Sequence, residues 1–526
     1  MIPRIFKSLY IYLSGTPDSE KEWQVSTYFF LKGFSFIALL AFISLWQQSE
    51  LLFGLNGINP YDEFLDSIQR QYIDRNFVLA PTLLWFFQAE NTLNSLFVIG
   101  SLSCVIAFTG YIRPIAFFVA WLCYLSACAV GNPFTQFPID KLLLELLFAA
   151  IFLSPWHLNK TYAKTFQSTR IARWLIYWIF FRLIFENALS RIGINDPSWY
   201  PGFYAVYNNY LTQPLPVWTS LFLHKGPYVI HNILTLAIFL IQIIAPFFII
   251  ASRRWRQIAV VLIALVEIYF RIIGNEGVFR WLSLLLCIYI IGDDFWLYKK
   301  AKTFIAKTNK PTKEVKPRQE EHSVNRISRV MITAVFSLLA LFIGLLNFTV
   351  LFNHNIRFPE LLNKPLKRVL ALKTTNSYAN LRLTKLVNQK ISIQGSIDGK
   401  EWREFPLQWN NREVYSRPKF LFYHFPRLEA KSTELPMGFW HNNQWFLKYL
   451  QKIVDRNPTV MNSFAINPFP AEQPNFIRSI LYKYNFSDIR TMKTTGYWWQ
   501  RRAIGPYTPP IPRTVEHRNG LIKNNL

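Results

Sequence analysis

Nine apolar runs punctuate the first two thirds of the chain, at roughly 27–46, 92–109, 114–130, 141–155, 172–189, 229–250, 257–273, 279–296 and 330–352. Runs of about 20 apolar residues cross the hydrocarbon core as helices, because only a helix satisfies its own backbone there. The fourth and eighth are short or interrupted. Beyond residue 352 the pattern changes to short alternating runs: LALKT (370–374), LRLTKL (381–386), ISIQGSI (391–397) and EWREFPLQW (401–409). Alternation with period two predicts strands. Asp398-Gly399 lies between two such runs and predicts a hairpin turn. Trp445, Leu447, Leu450 and Ile453 are spaced for a helix over about 443–454, and Ile480 to Phe486 alternates like a strand. The predicted fold is a polytopic α-helical membrane bundle of about nine spans, followed by an extracytoplasmic β-rich, sandwich-like domain with a few helices.

The chain has 526 residues, 51% of them hydrophobic and 17% aromatic, with a net charge of +26. The positive charge is not spread evenly. It clusters at Arg4 and Lys7, at Arg113, from Lys160 to Arg173, at Arg253, Arg254 and Arg256, and from Lys299 to Arg329. With nine spans these are alternate loops, so the positive-inside rule places the N-terminus in the cytoplasm. The loops near 50–90, 131–140, 190–228 and 274–278, and everything after 352, then lie outside. The predicted organisation is a bundle over 1–297, a basic cytoplasmic linker over 298–329 facing anionic membrane lipid, a last span over 330–352, an outer domain over 353–512 and a disordered tail over 513–526. A basic balance explained this way points away from nucleic acid. The start of the chain predicts no cleavable signal peptide, and the end carries no retention signal. This layout predicts a multi-pass protein of a bacterial inner membrane with its C-terminal domain in the periplasm, or of the endoplasmic reticulum membrane with that domain in the lumen.

The stretch from Ile466 to Ile511 interleaves Arg478, Lys483, Arg501 and Arg502 with Phe476, Tyr482, Tyr484, Phe486, Trp498 and Trp499. Prolines bracket it: Pro468 and Pro470 before, and Pro506, Pro509 and Pro510 after. By residue chemistry this is a β-strand region anchored by Trp498 and Trp499. The ordered set Asn467-Pro468-Phe469, Pro474, Arg478, Tyr482, Tyr484, Phe486, Trp498-Trp499, Arg501, Gly505-Pro506-Tyr507 and Pro509-Pro510 resembles the C-terminal signature of the lipase maturation factor family. The resemblance extends from about residue 130 to 512. It includes Asn376-Ser377-Tyr378, Glu401 to Phe405, and His424, Pro426, Arg427 and Leu428. The chain departs from the family pattern at Ala379-Asn380-Leu381 and at Glu429-Ala430.

The membrane half carries charges inside apolar runs. Lys141 and Glu145, Arg182 and Glu186, and Glu267 and Arg271 are each four residues apart, one helical turn. Such charges face the bundle interior. They line a polar cavity or pack helices as ion pairs, and both readings stand. The resemblance adds Gln136, Asp140 and Glu145 before and in the fourth span, Asp196 and Trp199 after the fifth, Thr212-Gln213-Pro214, His231 entering the sixth, and Gly274-Asn275. Asp140, Glu145, Arg182, Glu186, Asp196, Gln213, His231 and Asn275 thus form a candidate polar site at the outer face, with His231 able to act as a base or as a hydrogen-bonded interface residue.

Catalytic signatures are sparse. There is no Gly-x-Ser-x-Gly elbow, no glycine-rich phosphate loop and no metal-ligand spacing, so no catalytic residue, cofactor or metal is expected. Cys104, Cys123, Cys128 and Cys287 all fall in predicted spans without a Cys-x-x-Cys, which argues against thiol chemistry. The resemblance implies a non-enzymatic factor that helps secreted lipases, or other exported proteins, reach their folded, assembled state. The client-binding residues expected are Arg427, Arg478, Trp498, Trp499, Arg501 and Tyr507, aromatic and arginine side chains of the kind enriched in protein interfaces. The alternative is an integral-membrane enzyme, since the bundle is distantly similar to that of vitamin K-dependent γ-carboxylase-like proteins and could modify a lipid or polypeptide at the outer polar site.

Overall fold

A computed structural model of the chain describes residues 10–15, 23–71, 76–87, 91–156, 168–293, 295, 323–352, 359–409 and 414–513. The expected basic linker lies outside the described residues as far as residue 322, and the expected tail lies outside them from 514.

Each apolar run contains a helix among its described residues. The bundle begins with α1 (Gln24–Phe53), followed by the short α2 (Tyr61–Gln71), then α3 (Thr92–Thr109), α4 (Arg113–Val130), α5 (Pro138–Leu153) and α6 (Arg170–Gly193). Two short helices, α7 (Ala205–Thr212) and α8 (Trp218–His224), cross one end of the bundle before α9 (Tyr228–Ile244), α10 (Arg253–Ile273), α11 (Phe279–Ile291) and α12 (Ser323–Phe352). Local sequence sets the breaks. Gly110, at φ 98°, turns the chain between α3 and α4, a left-handed conformation that favours glycine, and Pro114 opens the helix beyond it. Thr169 caps α6 by accepting the N–H of Ala172.

Five helical stretches are long and apolar enough to cross a membrane: Gln24–Phe53, Thr92–Thr109, Arg113–Val130, Tyr228–Ile249 and Ile327–Phe352. The chain is an integral membrane protein. Of the other four segments, α5 and α11 are only 16 and 13 residues long, and α6 and α10 carry the charges noted above. Helix α1 packs against α3 and α11, α4 joins α3 to α5, and α6 touches α5, α9 and α12. Helix α12 exposes Val335, Leu338, Phe342 and Leu345, apolar side chains that suit lipid.

After α12 comes an amphipathic helix, α13 (Glu360–Ala371), and then a mixed domain. Its strands are β1 (Gln389–Ser396), β2 (Arg403–Glu404), β3 (Phe476–Phe486) and β4 (Trp499–Pro512), with α14 (Arg427–Ser432), α15 (Gln444–Val454) and α16 (Ile489–Thr495) between them. Among the described residues the strands form one antiparallel sheet, ordered β2-β1-β3-β4. Asp398-Gly399 makes the expected β1–β2 turn: Gly399 has φ 75°, and Asp398 Oδ1 accepts the N–H groups of Lys400 and Glu401. The prolines of β4 fit its place at the sheet edge, where a missing N–H is tolerated and further strand pairing is discouraged.

The layer facing this sheet is helical where a second sheet of a sandwich was expected. Ile391, Ile393 and Leu428 line one space with Trp445, Phe446 and Tyr449 of α15. The runs read as further strands are used otherwise. Residues 370–371 end α13, and Thr384 of the 381–386 run donates its backbone and hydroxyl hydrogens to Asp196 in the bundle. A backbone engaged this way has no edge to offer a sheet.

Candidate functional site

The C-terminal domain is seated on one end of the bundle, and the charged residues buried in the helices hold it there. Asp140 stands in the first turn of α5, where its Oδ2 accepts the N–H of Phe137, 3.2 Å away. The same carboxylate receives both ends of the Arg427 guanidinium, Nη1 to Oδ2 at 2.7 Å and Nη2 to Oδ1 at 2.6 Å. Arg427 Nη1 also donates to the Phe134 carbonyl and Nη2 to the Tyr124 hydroxyl, while the Arg427 N–H donates to Gln48 Oε1. Both side chains of the pair are buried, 2% and 1% exposed. Burial opposes the charge on Arg427, and adjacent Asp140 more than offsets it, so the guanidinium pKa is raised.

A second group lies beside it. Arg182 of α6 pairs with Glu145 of α5 and donates from Nη1 to the Asn376 carbonyl at 2.7 Å. Glu145 Oε2 accepts the Tyr378 hydroxyl at 2.6 Å and the Asn376 N–H at 3.2 Å. Ser377 donates its hydroxyl to Glu186, and Lys141 donates to the Ser377 carbonyl at 3.1 Å. The Asn376-Ser377-Tyr378 segment therefore occupies the polar space between α5 and α6. The expected pairing within each helix gives way to pairing between elements. The same holds in α10. Glu267 pairs with Arg280 at 2.9 Å, and Arg271 donates to the carbonyls of Leu421 and Phe422. Partners on another element satisfy these groups and also join two parts of the fold, which a partner one turn away on the same helix does not.

The remaining members of the candidate polar set continue the seam. Asn275 donates to the Lys419 carbonyl and accepts the Leu421 N–H, both at 2.8 Å. Trp281 Nε1 donates to the Phe422 carbonyl. Ser44 donates nothing to Phe425 but accepts its N–H at 3.1 Å, and Gln48 donates to the Phe425 carbonyl. Gly277 has φ 57°, and a Cβ there would lie 2.8 Å from Cβ of Phe425, so the bundle needs glycine where the 419–427 segment crosses it. Asp196 accepts from Ser198 and Thr384. Burial pushes its carboxyl up, but these hydrogen bonds outweigh that and hold it below the ordinary carboxylate value. Asp140, Glu145, Arg182, Glu186, Asp196 and Asn275 all bond to C-terminal segments. Gln213 and His231 do not. Gln213 Nε2 donates to the Ile273 carbonyl, and His231 bonds through Nε2 to the Gly226 carbonyl while packing on Tyr207 and Tyr210. They hold the short helices over which the sheet end rests.

The six residues expected to touch a client are dispersed. Arg427 is inside the seam just described. Trp499 is buried and stacks on Phe486, ring centroids 4.6 Å apart, in an apolar cluster shared with Trp199, Val206 and Tyr210 of the bundle. Trp498 is half-buried beside Arg417 and Phe222. The Tyr507 hydroxyl donates to the carbonyls of Leu435 and Gly438. Arg478 and Arg501 lie on the sheet, outside the hydrogen-bonded seam. Arg478 stacks over Trp402 at 3.9 Å and donates to Gln394. Arg501 pairs with Glu404 at 2.9 Å and covers the Tyr482 ring. Trp402, Glu404 and Tyr482, not singled out as a group by the sequence, thus join Arg478 and Arg501 in one polar and aromatic stripe across β2, β3 and β4. Period-two spacing on the paired strands was the signal that could have found it.

The family model for the lipase maturation factor transmembrane domain matches residues 25–298, and that for the lipase maturation factor C-terminal domain matches residues 374–509. Lipase maturation factor 1 of Mus musculus is 25% identical over 503 residues, covering 91% of this chain and 86% of the relative. Lipase maturation factor 1 of Homo sapiens is 24% identical over 501 residues, covering 91% and 87%. Lipase maturation factor 2 of Xenopus tropicalis is 24% identical over 580 residues, covering 92% and 82%. No solved structure matches the chain.

Proposed function

Because this chain belongs to the lipase maturation factor family, we propose that it is a membrane-held maturation factor for secreted lipases or related exported proteins, with the client received by the C-terminal domain. The observation that carries this reading is the coincidence of the two matched domains with the two sides of the buried seam: Asp140, Glu145 and Asn275 lie in one, and Asn376, Leu421 and Arg427 in the other. A domain clamped this way presents one fixed surface beside the membrane across which a client is exported. Holding a partly folded client lowers the free population that aggregates. The stripe of Arg478, Trp402, Tyr482, Arg501 and Glu404 supplies the receiving surface, aromatic and arginine-rich as protein interfaces are. With all nine helices crossing the bilayer, the domain lies on the exported side, which is the periplasm in a bacterial inner membrane.

The test is crosslinking in the native membrane. A photoreactive residue replaces Ile504, an exposed position on β4, and a control replaces Lys307 before the last helix. Capture of a lipase or esterase from Ile504 alone supports both the client and the topology. Capture of a lipase from Lys307, or of no exported protein from Ile504, removes the proposal.

A further inference from the structure

The end of the bundle opposite the C-terminal domain holds a cation with no acidic partner among the described residues. Helix α1 touches the domain through Ser44 and Gln48, near its last residue Phe53, so its start lies at the far end. Lys32 is eight residues past Gln24, roughly 12 Å along the axis. It shares a stripe of α1 with Phe29 and Phe36, three and four residues away, and both phenylalanines are exposed as lipid-facing side chains are. Its ammonium lies 5.2 Å from the Tyr28 ring and 5.0 Å from the ring of Phe108, an exposed residue of α3. Arg113, which opens α4, brings its guanidinium to 5.9 Å from the same Tyr28 ring.

Arg113 is 1% exposed, its Nε donates to the Ala107 carbonyl, and its Nη2 is buried with no hydrogen-bond partner among the described residues. Among those residues no carboxylate forms an ion pair with Lys32 or Arg113. Everywhere else in the buried part of this bundle the charges described above find partners within the protein. A charge on a membrane helix needs a partner, and a lysine stem reaches along the helix to bring its ammonium to the headgroup region. Aromatic rings favour the cation there but do not neutralise it.

We propose that Lys32, Tyr28 and Arg113 form a site for the phosphate of an anionic phospholipid in the leaflet at this end, with the lipid chains lying against Phe29, Phe36 and Phe108. Basic residues between membrane helices recognise acidic headgroups in this way.

The full chain, purified in a neutral detergent, is titrated with phosphatidylglycerol and with phosphatidylcholine of the same acyl chains, and bound lipid is counted by native mass spectrometry. Phosphatidylglycerol is expected to be bound about fivefold better, the factor one basic residue near an anionic surface supplies. Lys32→Gln loses that preference and Lys32→Arg retains it. Added inorganic phosphate leaves the lipid in place, because the exposed phenylalanines hold its chains. Equal binding of the two lipids, a preference unchanged in Lys32→Gln, or displacement by phosphate overturns the proposal. The comparison of lipids on the unaltered chain decides it even where a variant folds poorly.

Discussion

Arg427 of the C-terminal domain and Asp140 of the membrane bundle, 287 residues apart in the chain, meet as a bidentate pair with both side chains buried. Two such charges are costly to desolvate, and removing one partner strands the other. Arg427→Ala is therefore expected to destabilise the protein by about 3–5 kcal/mol, and Asp140→Ala by a similar amount. Arg427→Lys does not restore it, because an ammonium cannot bind both carboxylate oxygens in parallel. Replacing both residues with leucine recovers much of the loss, since neither charge is then left unpaired. Thermal unfolding of the detergent-purified variants measures all four.

Tyr378 supplies the hydroxyl that Glu145 accepts while Arg182 holds the other carboxylate oxygen. Tyr378→Phe keeps the ring and removes one donor from a buried acceptor. The expected cost is about 1–3 kcal/mol, smaller than for loss of a whole ion pair. Limited proteolysis after residue 352 reads the consequence, because a loosened Asn376-Ser377-Tyr378 segment frees the start of the domain. A variant as resistant to protease as the unaltered chain contradicts the role given to this segment.

Gly277 meets Phe425 where the domain crosses the turn between α10 and α11. Alanine there faces two penalties: a left-handed backbone and a Cβ within 2.8 Å of the Cβ of Phe425. Gly277→Ala is expected to cost more than about 1 kcal/mol and to act on the seating of the domain. Hydrogen exchange should speed up across residues 419–427 and stay slow in the β1–β3 pairing. Uniform acceleration through the whole domain contradicts a local role.

The helices were legible because a membrane span announces itself by length and apolarity, and the β1–β2 turn because Asp-Gly favours one turn geometry. The members of the seam were legible too, since Asp140, Glu145 and Arg182 stand out as charges in apolar surroundings. Their partners were not. A spacing of four suggested Arg182 with Glu186 and Glu267 with Arg271. Arg182 instead finds Glu145 on another helix, and Glu267 finds Arg280 beyond the next turn. Helical periodicity reports who shares a face, not who comes to meet that face from elsewhere in the chain. The same gap put Arg427 among surface residues. Its chemistry suits an interface, and it is in one, but with the bundle of its own chain.

His424 stands next to the seam, near Ser44 and packed on Trp409. Burial and, after it, the nearby positive charge of Arg427 lower its pKa from 6.5 to about 4. The folded protein thus refuses a proton that the unfolded chain accepts between those values. Stability is constant above about pH 6.5 in this respect and falls as pH drops from there toward 4, by roughly 3 kcal/mol for the whole shift. His424→Gln should flatten that part of the curve of melting temperature against pH, without moving its alkaline side. An unchanged acid slope in the variant assigns the loss to other groups.

Arg478 and Arg501 lie in the stripe proposed to receive the client, and neither is required by the seam. Their contacts with Trp402, Gln394, Glu404 and Tyr482 are on the sheet's accessible face, where ion pairs contribute little. Replacing each with alanine is therefore expected to lower stability by less than about 1 kcal/mol. The effect on function should be larger, because an arginine at the centre of a protein interface can contribute more than about 1 kcal/mol to binding, at least about a fivefold change in affinity. Secreted lipase activity per unit of lipase protein should fall in cells carrying the double variant, while the amount and melting temperature of the maturation factor hold. Arg427→Ala should lower both together, since it unseats the domain. If the double variant matures lipase fully, the client contacts some other surface. If it loses stability to the same degree as Arg427→Ala, the two arginines belong to the framework and not to the receiving face.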